Sequence, residues 1–175
     1  MMALLVAPAL AACDKDGRAA GSASSDAPPK APRVVIERIT LEGERFDLEV
    51  AADRDSIAKG LGGRESIADD GGMLFVFPDA QMRHFWMLDC LIDIDIIFVD
   101  SVGGVTAVHR MKADPQRDGE SRAAYEARLR RYSSVGRAQF AIELQAGSLD
   151  RLGIKPGHRL THIDWRRIRR LARSE

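Results

Sequence analysis

The larger part of the sequence predicts a mostly β, or α+β, fold: a compact, barrel-like curved sheet with a few short helices. Three observations lead there. The apolar runs are of strand length rather than helix length, and several of them are rich in Ile, Val and Phe. Phe46, Leu48 and Val50 alternate with Asp47 and Glu49, the pattern of a strand with one buried face. Between the runs stand Gly43, Gly62-Gly63, Gly71-Gly72, Pro78 and Gly103-Gly104, which punctuate short connections.

Residues before 33 do not belong to that pattern. Met1 to Leu10 are almost wholly apolar, about half the length a membrane-crossing helix needs. The run closes on Leu10-Ala11-Ala12-Cys13, small residues followed by a cysteine, which resembles a bacterial lipobox. In that pattern the Cys thiol is acylated and the chain is cut just before it. Residues 1–12 are therefore expected to be a signal peptide, although no Lys or Arg precedes the apolar run. Residues 13–32 are expected to be a lipidated Cys13 and a flexible linker. Ser, Ala, Gly, Pro and mixed charges supply no apolar periodicity there, and Ala27-Pro28-Pro29-Lys30-Ala31-Pro32 favours extended chain. The expected location is the cell envelope, facing the periplasm and held to a bacterial membrane by the lipid.

A single β-rich domain is expected over residues 33–165. Val34 to Ile39 open it, and Glu42-Gly43-Glu44 reads as a hairpin turn into the Phe46–Val50 strand. Ile57, Ala58 and Leu61 follow at helical spacing, with Asp53 as N-cap and Gly62-Gly63 as the stop. Met73 to Phe77 is a continuous apolar run, the mark of a buried strand, and Phe85 to Leu88 is a further short apolar piece. Ile92 to Val99 carries the strongest β signal and turns through Gly103-Gly104 into Val105 to Val108. Residues 118–131 mix Ala with Arg and Glu, which suits a solvated helix or loop inserted on one face. Phe140 to Leu144 and Arg159 to Ile163 read as two later strands. Residues 166–175 form a basic C-terminal tail. With Trp165, Ile168 and Leu171 at helical spacing it reads as a short amphipathic helix, packed on the domain or lying on anionic headgroups.

Net charge is zero, so there is no overall pull toward nucleic acid, and no nucleic-acid partner is expected. Phosphate-binding loops, dinucleotide fingerprints, Cys–x–x–Cys pairs and the Gly-x-Ser-x-Gly elbow do not occur. No cofactor is expected. Met82, His84 and Met87 are of the ligand types that suit Cu(I), but Met87 does not share a strand face with the other two, and no metal site is expected. Cys90 lacks a neighbouring base and has Asp89 beside it, which opposes a thiolate.

Several pieces in order resemble the domain of unknown function 192 family of bacteria and archaea. They are Gly60-Leu61 with Arg64, Gly72-Met73-Leu74-Phe75-Val76-Phe77, Phe85-Trp86-Met87 and Asp95-Ile96-Ile97-Phe98. Pro115, Tyr132-Ser133-Ser134, Glu143-Leu144, Ala146-Gly147, Gly153-Ile154 and Gly157 continue the likeness, which covers about residues 38–163. The chain departs from the family pattern at Leu88-Asp89-Cys90, at Asp93-Ile94 and at His158. The resemblance implies a fold and frequent export, and no established reaction.

Arg64, Trp86, Asp95 and Glu143 are the candidate ligand-binding residues. An Arg fork binds carboxylate or phosphate, and Trp offers a rigid stacking surface. For the charges, a buried Arg–carboxylate pair that fixes strand register is the preferred account, since buried charges need partners for structural reasons alone. Two readings follow. One is a membrane-tethered, non-catalytic binding or interaction domain with a small polar site for an envelope ligand or protein. The other is an envelope hydrolase of glycoside type, with Asp95 and Glu143 as paired carboxylates.

Overall fold

The computed structural model describes residues 34–172. Cys13 and the expected signal peptide and linker lie outside the described residues. Six strands make one mixed sheet: β1 (Ile36–Leu41), β2 (Glu44–Ala51), β3 (Gly71–Phe85), β4 (Ile94–Val99), β5 (Val105–Met111) and β6 (Tyr132–Gln145). Four short helices accompany them: α1 (Arg54–Lys59), α2 (Arg122–Arg128), α3 (Ser148–Leu152) and α4 (Trp165–Leu171). The strand order is β1-β2-β3-β6-β4-β5. Each neighbouring pair is antiparallel except β2 and β3, which run parallel with α1 in the crossover between them. The mostly-β, α+β expectation holds. The sheet does not close into a barrel, however: β1 and β5 are its two edges and do not pair with each other.

Local chemistry accounts for the elements. Glu42 and Gly43 both take positive φ, 46° and 87°, the conformation a two-residue hairpin turn demands. Asp53 caps α1 by accepting the N–H groups of Asp55 and Ser56, both at 2.9 Å. Gly60, at φ 51°, ends the helix two residues before the expected stop. Asp100 Oδ1 accepts the N–H groups of Val102 and Gly104, each at 2.8 Å, and so shapes the β4–β5 turn.

Strand β3 runs well past the apolar stretch that announces it. It passes through Pro78 because the register with β6 shifts between Val76 and Gln81, and a bulge tolerates a residue with no N–H to donate. Buried Gln139 donates to the Phe77 and Pro78 carbonyls at 3.3 and 3.4 Å, supplying partners the ladder lacks there. A second shift separates Met82 from His84, and the intervening Arg83 N–H is taken up by Ser134 Oγ at 2.9 Å. Such bulges bend a sheet and re-aim its side chains.

Both faces of the sheet are covered. One core contains Leu74, Val76, Ile97, Val99, Phe140, Ile142 and Leu144 beneath α3, α4 and their connection. There Trp165 packs on Phe140 with ring centroids 4.6 Å apart and donates its indole N–H to the Leu160 carbonyl at 3.1 Å. Ile168 is buried in the same core, so the packed domain continues beyond residue 165. The opposite core contains Met73, Phe75, Phe77, Ile94, Ile96, Phe98 and Ala141 beneath Leu61, Ile67, Met87 and Cys90. Residues 159–163, expected as a strand, form turns with a single bridge from Arg159 to Gly104, because Leu160 and Ile163 serve as plugs for the first core. Among the described residues no helix is long and apolar enough to cross a membrane.

Candidate functional site

Register decides which candidate residues meet. Glu143 pairs with Ile96 of β4 and Met73 of β3, whereas Asp95 pairs with Leu144. Directly paired residues point to the same side, so Glu143 lies on the Phe75 face and Asp95 on the Leu144 face. The two carboxylates are on opposite sides of the sheet, and no cleft contains both. The paired-carboxylate arrangement is therefore corrected. Asp95 instead shapes the chain beside it. Its Oδ2 accepts the backbone N–H groups of Gly147 and Leu149, both at 2.9 Å, at the start of α3. Burial pushes its carboxyl up, opposed by those two hydrogen bonds.

Arg64 also leaves the site. Its guanidinium bonds Glu49 Oε2 at 2.6 Å in a half-exposed pair. It does not line the cleft that contains Glu143.

Glu143 stands at the floor of an open cleft of about 380 Å³. Phe75 and Phe77 from β3, Trp86 and Leu88 from the following loop, and Ile57 from α1 give it apolar and aromatic walls. The Gly60–Gly62 backbone forms one side. A methyl group on Gly60 would stand 3.4 Å from the Phe75 ring and 3.7 Å from Glu143 Oε2, so this glycine lets the loop approach the carboxyl closely. Lys59, Arg83 and His84 line the cleft as well.

The electrostatics of Glu143 are unusual for a strand residue. Only 5% of it is exposed, and Oε2 has no hydrogen-bond partner. Burial pushes the carboxyl up to about 8, opposed only by the Leu61 backbone N–H, so at neutral pH the acid is mostly protonated. Cys90 also lines the cleft. Its thiol is pushed up to about 12, first by burial and then by the charges of Glu143 and Asp89, so it is no nucleophile at physiological pH. Arg83 contributes a second unpartnered group: its Nε is buried without an acceptor, while the guanidinium stacks 4.2 Å over Phe77 and bonds Asp79.

The wall of the cleft that follows β3 is buttressed by the inserted segment. Asp89 takes φ 55°, a left-handed conformation that Asp tolerates better than most residues. It is locked there by a bidentate pair with Arg122 at 2.8 and 2.9 Å and by the Tyr125 hydroxyl, which accepts its N–H at 3.0 Å. Tyr125, in α2, is almost fully buried. Arg131 stacks 3.7 Å over Trp86. The segment that reads from sequence as a solvated insertion thus fixes the loop carrying Trp86, Leu88 and Cys90. The tyrosine among its charges is the signal that could have shown this.

Of the four candidate residues, the structure brings Trp86 and Glu143 to one cleft and places Arg64 and Asp95 elsewhere. It adds Gly60, Phe75, Arg83 and Cys90. Among the described residues, no three His, Cys, Asp or Glu side chains cluster as metal ligands. Met82 and His84 are exposed, whereas Met87 is buried.

The family model of domain of unknown function 192 (DUF192), described as "Uncharacterized ACR", matches residues 36–162. The chain belongs to this family. Every element of the cleft lies within the DUF192 match. Two solved structures are similar. A protein from Sinorhizobium meliloti 1021, described as a candidate transcription regulator, is 29% identical, with 71% of this chain and 88% of that one covered and a TM-score of 0.56. A protein of unknown function from Novosphingobium aromaticivorans DSM 12444 is 28% identical, with 75% and 87% covered and a TM-score of 0.58. A search of the curated proteins gives no match.

Proposed function

We propose that this DUF192 chain is a membrane-tethered, non-catalytic binding module of the bacterial cell envelope, which takes a small molecule in the cleft over Glu143. One observation carries the binding part. A buried carboxyl with an unpartnered oxygen sits at the floor of a cleft that is open to solvent and walled by aromatic rings. A buried polar atom left unsatisfied costs about 1–3 kcal/mol, and a ligand group that satisfies it recovers that energy. The non-catalytic reading rests on the chemistry within reach. Cys90 stays a thiol, and the second carboxylate that glycoside chemistry requires lies across the sheet. The tether rests on the Leu10-Ala11-Ala12-Cys13 pattern and the Pro-rich stretch that follows it.

Two measurements test the two parts. Bacteria expressing the full chain are fed an alkynyl palmitate analogue. The chain should take up label in the membrane fraction, and Cys13→Ser should not; equal labelling of both, or none in either, removes the tether. The full chain is then screened by thermal shift against sugars, peptidoglycan fragments, amino acids and nucleotides. A ligand at a hundred times its Kd adds about 2.7 kcal/mol of stability. The shift should be lost in Trp86→Ala and in Glu143→Gln. A shift that survives both variants moves the site elsewhere.

A further inference from the structure

The cleft offers more than a generic apolar pocket, because its polar groups are sorted by depth and sign. Glu143 is the acidic group at the floor. The group packed beside it that can also titrate is the Cys90 thiol, with Asp89 behind it. From β3 and β4 it is faced by apolar Met73 and Ile96. Lys59, Arg83 and His84 line the cleft from α1 and β3, and Arg131 covers Trp86. A ligand carrying only positive charge meets Lys59 and Arg83 before it reaches the acid. A ligand carrying only negative charge finds a carboxyl at the floor.

Resting on the reading of the cleft as a binding site, we propose that its ligand is a zwitterion bearing a primary ammonium and an oxyanion. The ammonium goes inward to the Glu143 carboxylate, its carbon skeleton lies along Phe75, Phe77 and Trp86, and the anionic end faces Arg83 and Lys59. The chemistry is that of an amino acid or a short amino-acyl compound. Three observations agree. The unpartnered Glu143 oxygen receives a charge-assisted hydrogen bond. The rings of Phe75, Phe77 and Trp86 give the carbon skeleton between the two charges an apolar bed. The buried, unpartnered Arg83 Nε gains an acceptor.

Binding of this kind moves a proton. The amine is an ammonium in neutral solution, and Glu143 is mostly the neutral acid; when the two meet, the carboxyl releases its proton to the buffer and the ion pair forms. With the carboxyl near 8, about 0.9 proton is released per ligand at pH 7. Affinity should rise about tenfold from pH 6 to pH 7 and level off above pH 8.

The test uses isothermal titration of the full chain in two buffers of different ionisation enthalpy. The probes are the ω-amino acids from 4-aminobutanoate to 8-aminooctanoate, with hexylamine, hexanoate and hexan-1-ol as matched controls. At least one ω-amino acid should bind tenfold or more tighter than all three controls, with close to one proton released at pH 7. Glu143→Gln, shown to be folded by circular dichroism, should lose both the preference and the proton release. Should hexan-1-ol or hexanoate bind as tightly, or binding release no proton, the cleft stands as a binding site and the zwitterion falls. If neither the probes nor the controls bind, the zwitterion falls, and the binding reading is decided by the wider thermal-shift screen.

Discussion

Glu143→Gln is the most informative single change, because its sign depends on pH. In the folded chain the Glu143 carboxyl is raised to about 8 by burial, against an ordinary value of 4.5. The folded state holds the proton more tightly than the unfolded state does. Stability contributed by this group is therefore fully present below about pH 4.5 and is lost as pH rises toward 8. The interval corresponds to on the order of 5 kcal/mol, since a tenfold change in proton affinity is about 1.4 kcal/mol. A loss on that scale lowers Tm by more than about ten degrees in a domain of this size. Gln has nearly the shape of the neutral acid and cannot ionise. The variant should match the wild type near pH 5 and exceed it by several kcal/mol at pH 8.5. Urea midpoints and Tm measured from pH 4.5 to 9 give the two curves. Parallel curves would refute the reasoning, because they would mean that Glu143 is solvated or ion-paired in solution.

Three further outcomes follow from the same geometry. A Cβ on Gly72 would collide with the Glu143 carbonyl oxygen, at a φ of 155° that side chains rarely adopt, so Gly72→Ala should cost about 3 kcal/mol or more in urea denaturation. Asp95→Ala should destabilise the domain by about 2 kcal/mol through the two lost N–H bonds at the start of α3, while Arg64→Ala costs less than about 1 kcal/mol; neither should change ligand binding measured by titration calorimetry. Cys90, with its thiol near 12, should resist iodoacetamide at pH 8 in the native chain and react fully in guanidinium, as read by mass spectrometry.

Most of the sheet is legible in the sequence, and the site only partly so. Strand alternation and turn chemistry are local, and they locate the β1–β2 hairpin, α1, β4 and β5 within a few residues. Strand β3 reads short because Pro78 resembles a stop. Its continuation depends on a bulge whose carbonyls are met by Gln139, a residue far away in the chain. Residues 159–163 have the composition of a strand but are used as a plug between the β4–β5 turn and α4. Closure into a barrel is an inference from strand abundance, and nothing local specifies whether β1 and β5 meet. The pairing of Asp95 with Glu143 fails for a definite reason. Period-two alternation fixes the face of a residue within its own strand, but the relation between strands needs register, and register here sets Ile96 opposite Glu143. Arg64 is drawn to the site by motif proximity to the glycines, although its partner, Glu49, lies on the parallel neighbour of β3.

A carboxyl at position 143 is a poor choice for folding alone. Phe140, Ala141, Ile142 and Leu144 around it are fully buried and apolar, and both faces of β6 are covered at this level. An apolar side chain of similar size would complete the core beneath Phe75 and Met73 without any desolvation penalty. Asp95 faces the same difficulty on the other side and meets part of it, accepting two backbone N–H groups at Oδ2 while Oδ1 stays unpartnered. Glu143 is met by one backbone N–H, that of Leu61, and its Oε2 stays unpartnered. What distinguishes the two positions is access. Gly60 brings the α1 end close to the acid without filling the space beside it, and the loop locked by Asp89 and Tyr125 carries Trp86 and Leu88 on another wall, so Glu143 borders an open cleft. A buried, unsatisfied acid bordering an open cleft is the arrangement on which the binding reading rests, and Asp95, unsatisfied at Oδ1 as well, does not line that cleft.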